Sequence, residues 1–508
     1  MTQETATLPL TRPRGEAKPW PWFLRPSLTD LFLFTMIFWL FMADPLGWDR
    51  LLWDGDTALH IRTGDFILDH GQVPTHDPFS FTRPGAPWVA FQWLTGVLLA
   101  AVNRSAGLKG VVLLCGLVIV LYLALLARDM VRRGTNGLIA LLLVMIGANA
   151  SAIHFHARPH LFTLLYLVFT CVLVARDREA PSWRVWLLAP LAALWANMHS
   201  GFPAMFALLG LLVVGCALSL DWPRVRRYAG VLAGCLAATL LNPNGIGLHL
   251  HIAEFLNNKW AMENINEYQS PVFRSEAMTC YMGILFLALM VCGRYFARRQ
   301  WTECLWILFF AAGSLTSARH IPLFIVVALP LVGKVLTGLW DELIAKQPAT
   351  SALGVLGEMS GKLTAKLQPV SIWSAIAVAG VALFASPQQW PRDLSAKYFP
   401  RAVVHQFASQ LSEARVFTSD QWGDYLLWTC YPKQRIFIDG RSDFFGEKVG
   451  RDYATIANAA PGWRQALGRY GVNMVLVPPQ TPLVELLEHE AGWRVLHRDP
   501  DAVLLAHP

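Results

Sequence analysis

Eleven stretches of this chain are apolar at close to the length of about 17–25 residues that a helix needs to cross hydrocarbon. They fall near 28–46, 108–128, 137–157, 160–176, 185–199, 202–219, 227–242, 277–293, 303–318, 321–339 and 369–386. Inside lipid every backbone N–H and C=O must find a partner within its own segment, so runs like these fold as helices. Charged residues make up only 15% of the sequence, against roughly 25% in soluble domains. The expectation is a polytopic α-helical membrane protein of about 11 transmembrane helices over residues 28–386.

Loop charge orients the spans. Arg128, Arg132 and Arg133; Arg176, Arg178 and Arg184; Arg224, Arg226 and Arg227; Arg294, Arg298 and Arg299; and Lys334 with Lys346 all fall at alternate ends. Basic residues collect in short cytoplasmic loops, so those ends are expected inside. Residues 1–27 then form a cytoplasmic tail with no cleavable signal, and 340–368 a cytoplasmic loop. Leu353, Leu356, Met359 and Leu363 in that loop suit a helix lying on the membrane surface. Residues 47–107 become the first outer loop, 243–276 a second, and 387–508 an extracytoplasmic domain. The net charge of +7 is spent on topology and gives no reason to expect nucleic acid. "WVAFQWLTGVLLAAV" (88–102) is apolar but short, and counting it as a span would invert every later loop. It is expected as a re-entrant or interfacial helix on the outer side. The eight Cys show no CxxC or finger spacing and read as small core residues.

From 387 onward hydropathy falls. "ARVFTS" (414–419), "RIFID" (435–439), "VNMVLVP" (472–478) and "AVLLAH" (502–507) look like strands; "YLLWTCY" (425–431) and "PLVELLEHE" (482–490) look helical. Their alternation predicts a small C-terminal α/β domain. Asp439-Gly440 reads first as a turn, with Asp439 and Arg441 holding the loop by a salt bridge.

The outer ends of the spans collect a different chemistry. Ten of the fourteen His fall there, among them His60, His154, His156, His160, His199 and His320. Arg158 and Arg319 each stand beside a Pro and a His at the end of a span. Polar groups gathered at one end of a bundle predict a shared cavity opening outward; the simpler alternative is that helix ends are wet. "WDGDTALHIRTGDFILDHG" (53–71) holds four Asp and two His in nineteen residues. Asp56 and His60, four apart, share a helix face. Asp56 is either the N-cap of a helix starting at Thr57 or a carboxyl whose affinity for protons is raised for general-base work.

The stretch "DGDTALHIRTGDFILDHGQVPTHDPFSFTRPGAPWVAFQWL" (54–94) resembles the first outer loop of GT-C membrane glycosyltransferases. These include the protein O-mannosyltransferases, the lipid A aminoarabinose transferases and, more distantly, oligosaccharyltransferase catalytic subunits. With "RPH", "SP" and a terminal "DGR" domain it is similar to a bacterial branch mostly unassigned in activity. It lacks the Asp-Glu pair of the aminoarabinose and mannosyl enzymes, and its C-terminal domain is not theirs. The resemblance implies a GT-C-like fold in a bacterial inner membrane. It also implies a sugar donor on polyprenyl phosphate, met on the extracytoplasmic face, and an acceptor that is a glycan, lipid or protein.

On that reading Asp56, or Asp54, is the base. Arg158 and Arg319 with His160 and His320 hold the donor phosphate, since Arg offers a fork of donors. His60, His156, Asn197 and His199 orient substrate. A divalent ion (Mg or Mn) on Asp54, Asp56 and His60 is the cofactor the resemblance allows. Two other readings compete. A transporter or flippase of lipid-linked sugars needs mid-span charges or broken helices in related repeats, and the sequence shows few of the former and no repeat. A non-catalytic assembly protein acting through its C-terminal domain needs neither eleven spans nor an acid-rich outer loop.

Overall fold

The computed structural model describes Pro21, Leu24 and residues 28–41, 48–366, 372–384 and 390–507. The cytoplasmic tail expected over 1–27 lies almost wholly outside the described residues, as do the ends of the first and last predicted spans.

The membrane part runs through α1 (Leu28–Phe41), α2 (Asp56–His70), α3 (Trp93–Arg132), α4 (Gly137–Ser151), α5 (His160–Glu179), α6 (Leu188–Met198), α7 (Pro203–Leu218) and α8 (Trp222–Ala238). It continues through α9 (Ile246–Leu256), α10 (Lys259–Asn264), α11 (Glu276–Ala297), α12 (Trp301–Thr316), α13 (Ile321–Ile344), α14 (Ala352–Lys366) and α15 (Ile372–Phe384). Among the described residues five helical segments are long and apolar enough to cross a bilayer: 93–132, 137–154, 160–179, 276–297 and 318–344. The protein is thus a multi-pass membrane protein built on helices. α7, α9 and α12 are shorter and apolar, and packing completes them. Tyr281 of α11 meets Ser314 of α12 at 2.8 Å, and the Trp306 indole of α12 donates to the Leu208 carbonyl of α7. Ser374 of α15 donates to Asp30 of α1.

The basic clusters converge at one end. Arg178, at the C-terminus of α5, pairs with Glu303 at the start of α12, and Arg227 of α8 pairs with Asp177. α5 is 20 residues long, about 30 Å, so its first residue, His160, lies at the opposite end of the bundle.

The apolar stretch 88–102 runs into a short helical arm, 93–106, that is separated from the long arm of α3 by the non-helical Gly107 (φ 65°, ψ −168°), a backbone state that glycine adopts without strain. The arm lies on α2. A Cβ on Gly64 would stand 1.9 Å from the Gly96 carbonyl, so the two backbones approach closely. Arg104 binds Asp65 and Asp69 of α2, both at 2.7 Å.

The C-terminal segment holds α16 (Arg401–Gln406), α17 (Ala408–Glu413), β1 (Val416–Phe417), α18 (Asp420–Cys430), α19 (Ser442–Ala457), α20 (Trp463–Arg469), β2 (Met474–Val477), α21 (Pro482–Glu488), β3 (Arg494–Arg498) and β4 (Val503–Ala506). The sheet order is β1-β2-β4-β3, with β1 parallel to β2 and the other pairs antiparallel. Residues 435–439, expected as a strand, do not join this sheet, and 494–498, not expected, does. Ile436 instead pairs with the first outer loop: its N–H donates to the Phe79 carbonyl, and Phe81 N–H donates to the Ile436 carbonyl, both at 3.0 Å.

These contacts make the first outer loop and the C-terminal domain one body, so both must lie on one side of the membrane. Single cysteines at the exposed positions Gln72 and Glu413, in a cysteine-free background, should react with an impermeant maleimide from the same face. Labelling from opposite faces would overturn the arrangement.

Candidate active site

Each of the five Asp between 54 and 77 has a cationic partner, and the partners sort them. Asp65 and Asp69 serve the α2–α3 contact through Arg104. Asp77 and Asp439 clamp Arg441 from two sides at 2.7 Å each. All three are buried, beneath Trp88, Phe79, Phe444 and Phe445. The salt bridge expected of Asp439 and Arg441 is present, with Asp77 of the outer loop as a third member. The remaining two, Asp54 and Asp56, face a cavity.

That cavity, about 820 Å³, lies between the bundle, residues 251–268 and the C-terminal domain. At its floor Arg158 binds three carboxylates: Asp54 at 2.6 Å, Asp56 at 2.7 Å and Glu267 at 2.5 Å. The bend before α5 sets Arg158 there. Ala157 N–H donates to the Leu51 carbonyl, and Thr57 Oγ1 donates to the Ala157 carbonyl, which ties this turn to the start of α2. Asp54 Oδ1 accepts the Asp56 N–H at 3.0 Å. Asp54, not Asp56, therefore serves the helix terminus, and Asp56 is the first helical residue. The cap expected of Asp56 is not its job. Gln421 of the C-terminal domain accepts the Gly55 N–H at 2.7 Å.

Electrostatics separates the two Asp. Burial pushes Asp54 up, but the Arg158 guanidinium and His156, 3.4 Å away, outweigh it and hold the carboxyl well below the usual carboxylate range. Burial dominates at Asp56, and with Asp54, Glu267 and Asp420 adding negative charge, it stays well above that range despite Arg158. Glu267 is likewise buried, yet Arg158 and Arg319 keep it low. His60, one turn after Asp56, is pushed down to about 3 by burial and by Arg158, so its imidazole is neutral.

Eight of the ten residues expected at a site line this cavity: Asp54, Asp56, His60, Arg158, His160, His199, Arg319 and His320. Asn197 and His156 do not. The Asn197 amide is consumed internally, accepting from Trp93 Nε1 and donating to the Ala193 and Leu241 carbonyls. His156 stands behind Asp54. The phosphate role expected of Arg158 does not suit its surroundings, because its donors are already shared among three carboxylates. Arg319 is different: it reaches Tyr268 at 2.9 Å and Glu267 at 3.4 Å through Nη1 alone. Gly201 N–H donates to His199 Nδ1 at 3.0 Å, which puts the ring proton on Nε2. His320 Nδ1 donates to the Gly313 carbonyl, which leaves its Nε2 as an acceptor.

A divalent ion on Asp54, Asp56 and His60 does not fit these residues. Arg158 occupies the position between the two carboxylates that a cation would need. Among the described residues no group of three or more His, Cys, Asp or Glu is placed to hold a metal. Three residues at the site were not anticipated. Glu267 lies in the polar outer-loop stretch "INEYQSP" (265–271), to which no individual role was assigned, and Asp420 and Asp424 belong to "DQWGDY" (420–425), more than 30 residues past the last predicted span.

The fold has solved neighbours. The chain superposes on the archaeal oligosaccharyltransferase AglB from Archaeoglobus fulgidus, in complex with an inhibitory peptide and a dolichol-phosphate. The TM-score is 0.54 at 11% identity, over 89% of this chain and 69% of that one. The Archaeoglobus fulgidus oligosaccharyltransferase tethered with an acceptor peptide gives 0.56 at 12% identity, over 88% and 68%. ArnT from Cupriavidus metallidurans bound to undecaprenyl phosphate gives 0.49 at 15% identity, over 94% and 97%. No family model and no curated protein matches the sequence.

Proposed function

We propose that this protein is a membrane glycosyltransferase. It moves a sugar from a polyprenyl-phosphate donor to an acceptor on the extracytoplasmic face of a bacterial inner membrane, with Asp56 as general base. The observation that carries the reading is one cavity lined by a carboxyl poised to take a proton and by a cation with donors to spare. The neighbouring fold that holds a dolichol-phosphate supports the donor class.

The acceptor O–H loses its proton to Asp56 as its oxygen bonds the anomeric carbon. The bond from that carbon to the phosphate oxygen breaks, and the phosphate leaves with the electron pair. Charge growing on the phosphate needs fixed positive partners. Arg319 supplies one. The N-termini of α5, α7 and α13, at His160, Pro203 and Ile321, turn toward the same cavity and favour an anion there. Arg158 holds the pair of Asp in place and compensates their charge. His199 and His320 present a donor and an acceptor to the substrate.

Replacing Arg319 by Ala should raise the donor KM about 10–100-fold, the worth of hydrogen bonds to a charged group, with kcat less affected. Transfer from synthetic polyprenyl-phosphate hexoses, with membranes of a strain lacking the protein as acceptor, measures it. An unchanged donor KM would remove Arg319 from the phosphate site.

A further inference from the structure

We propose that Asp424 of α18 is the positioning residue for Asp56: the two carboxyls form a pair that carries one proton, and Asp424 holds it while Asp56 serves as the base. The inference rests on the transferase reading and extends the site into the C-terminal domain.

Asp424 is fully buried. Its Oδ1 accepts the Gly440 N–H at 3.3 Å, and its Oδ2 has no hydrogen-bond partner among the described residues. Gly440 brings the two carboxyls together. A Cβ there would stand 2.0 Å from Asp56 Oδ1 and 3.3 Å from Asp424 Oδ2, so a side chain at 440 would occupy the space the two oxygens share. From the other side, a Cβ on Gly55 would meet Asp424 Oδ2 at 3.0 Å. Only glycine backbone separates Asp424 from the start of α2.

The charged groups around the pair are Asp54 beside α2, Asp420 on α18, Asp439 and Arg441 before α19, Arg158 before α5, and Glu267. Arg158 is shared by Asp54, Asp56 and Glu267; Arg441 is shared by Asp77 and Asp439. Neither cation is left for Asp424. A buried carboxylate with no cation is costly enough that it takes up a proton instead. Burial, and then the charge of Asp56, both raise Asp424 well above the usual carboxylate range. Two such carboxyls cannot both ionise cheaply and titrate as a unit. A neutral Asp424 spares Asp56 a second negative neighbour, so Asp56 stays ionised against Arg158 until the acceptor arrives. The acceptor's proton then moves to Asp56, and the proton on Asp424 stays where it is.

The test compares Asp424→Asn with Asp424→Leu in the full-length protein, using synthetic polyprenyl-phosphate hexoses as donor. Asn imitates the protonated acid, so Asp424→Asn should keep transfer to within about tenfold of wild type and lose the alkaline fall in rate that reports the pair's proton. Asp424→Leu should stay folded and lose about 10²-fold, the cost of a misplaced reacting group. An independent readout is the infrared C=O stretch of a protonated carboxyl at neutral pH, present in wild type, shifted in D2O and absent in Asp424→Asn. The proposal fails if that band persists in Asp424→Asn. It fails equally if folded Asp424→Leu matches wild type in rate and pH profile. If Asp424→Leu does not fold, the band and pH profile of Asp424→Asn decide. A band lost in Asp424→Asn, with no transfer by wild type from any donor tried, would sink the transferase reading and leave the protonated pair standing.

Discussion

Asp56→Asn should leave a folded protein that binds donor and transfers almost nothing. Asn is nearly the size of Asp, and the backbone of α2 does not depend on the Asp56 side chain, since Asp54 accepts the terminal N–H. One bond to Arg158 is weakened, but Arg158 keeps Asp54 and Glu267. The amide has no affinity for the acceptor's proton, and losing a general base typically costs about 10²–10⁴-fold in rate. Asp54→Asn should behave differently: Asp54 is held ionised by Arg158 and His156, so its loss disturbs the clamp rather than the proton acceptor. Rates and donor KM for both variants separate the roles. Transfer by Asp56→Asn within threefold or so of wild type would remove Asp56 as the base.

Arg441→Met should produce the largest loss of stability. Arg441 is 5% exposed and the side chains of Asp77 and Asp439 are fully buried. Met replaces the stem but strands two carboxylates, and breaking a buried ion pair by removing one partner costs about 3–5 kcal/mol. The cation also sits 4.4 Å from the centre of the Trp88 ring, a contact worth more when desolvated. The strain falls on the joint between the outer loop and the C-terminal domain, so that domain should become sensitive to protease at temperatures where wild type resists. Adding Asp77→Asn to Arg441→Met should recover part of the loss. A melting temperature in detergent equal to wild type would show the triad is not what joins the two parts.

Much of the architecture was legible in the chain itself, because the bilayer imposes a strict rule. Apolar runs of fixed length must be helices, and α3, α4, α5, α11 and α13 announce themselves that way. The positions of polar groups at helix ends were legible for the same reason: His160, Arg319 and His320 stand where hydrophobicity stops. That these ends, with Asp56 and His60, would meet in one cavity followed from their sharing one end of the bundle.

What the sequence could not determine was pairing. Asp54 and Asp56 are two residues apart and chemically identical, and only what surrounds them, Arg158 and His156 at one and further carboxylates at the other, holds one carboxyl low and the other high. Arg158 reads in sequence as a free cation, and three carboxylates from two distant segments occupy it. "RIFID" has a strand's composition, but its backbone partner, Phe79, is more than 350 residues away. Gly440 between Asp56 and Asp424 reads only as a turn. Local sequence sets which segments are helical and where their polar ends fall. The charge each buried group carries depends on what the fold brings within a few ångströms of it, in surroundings where water no longer screens the difference.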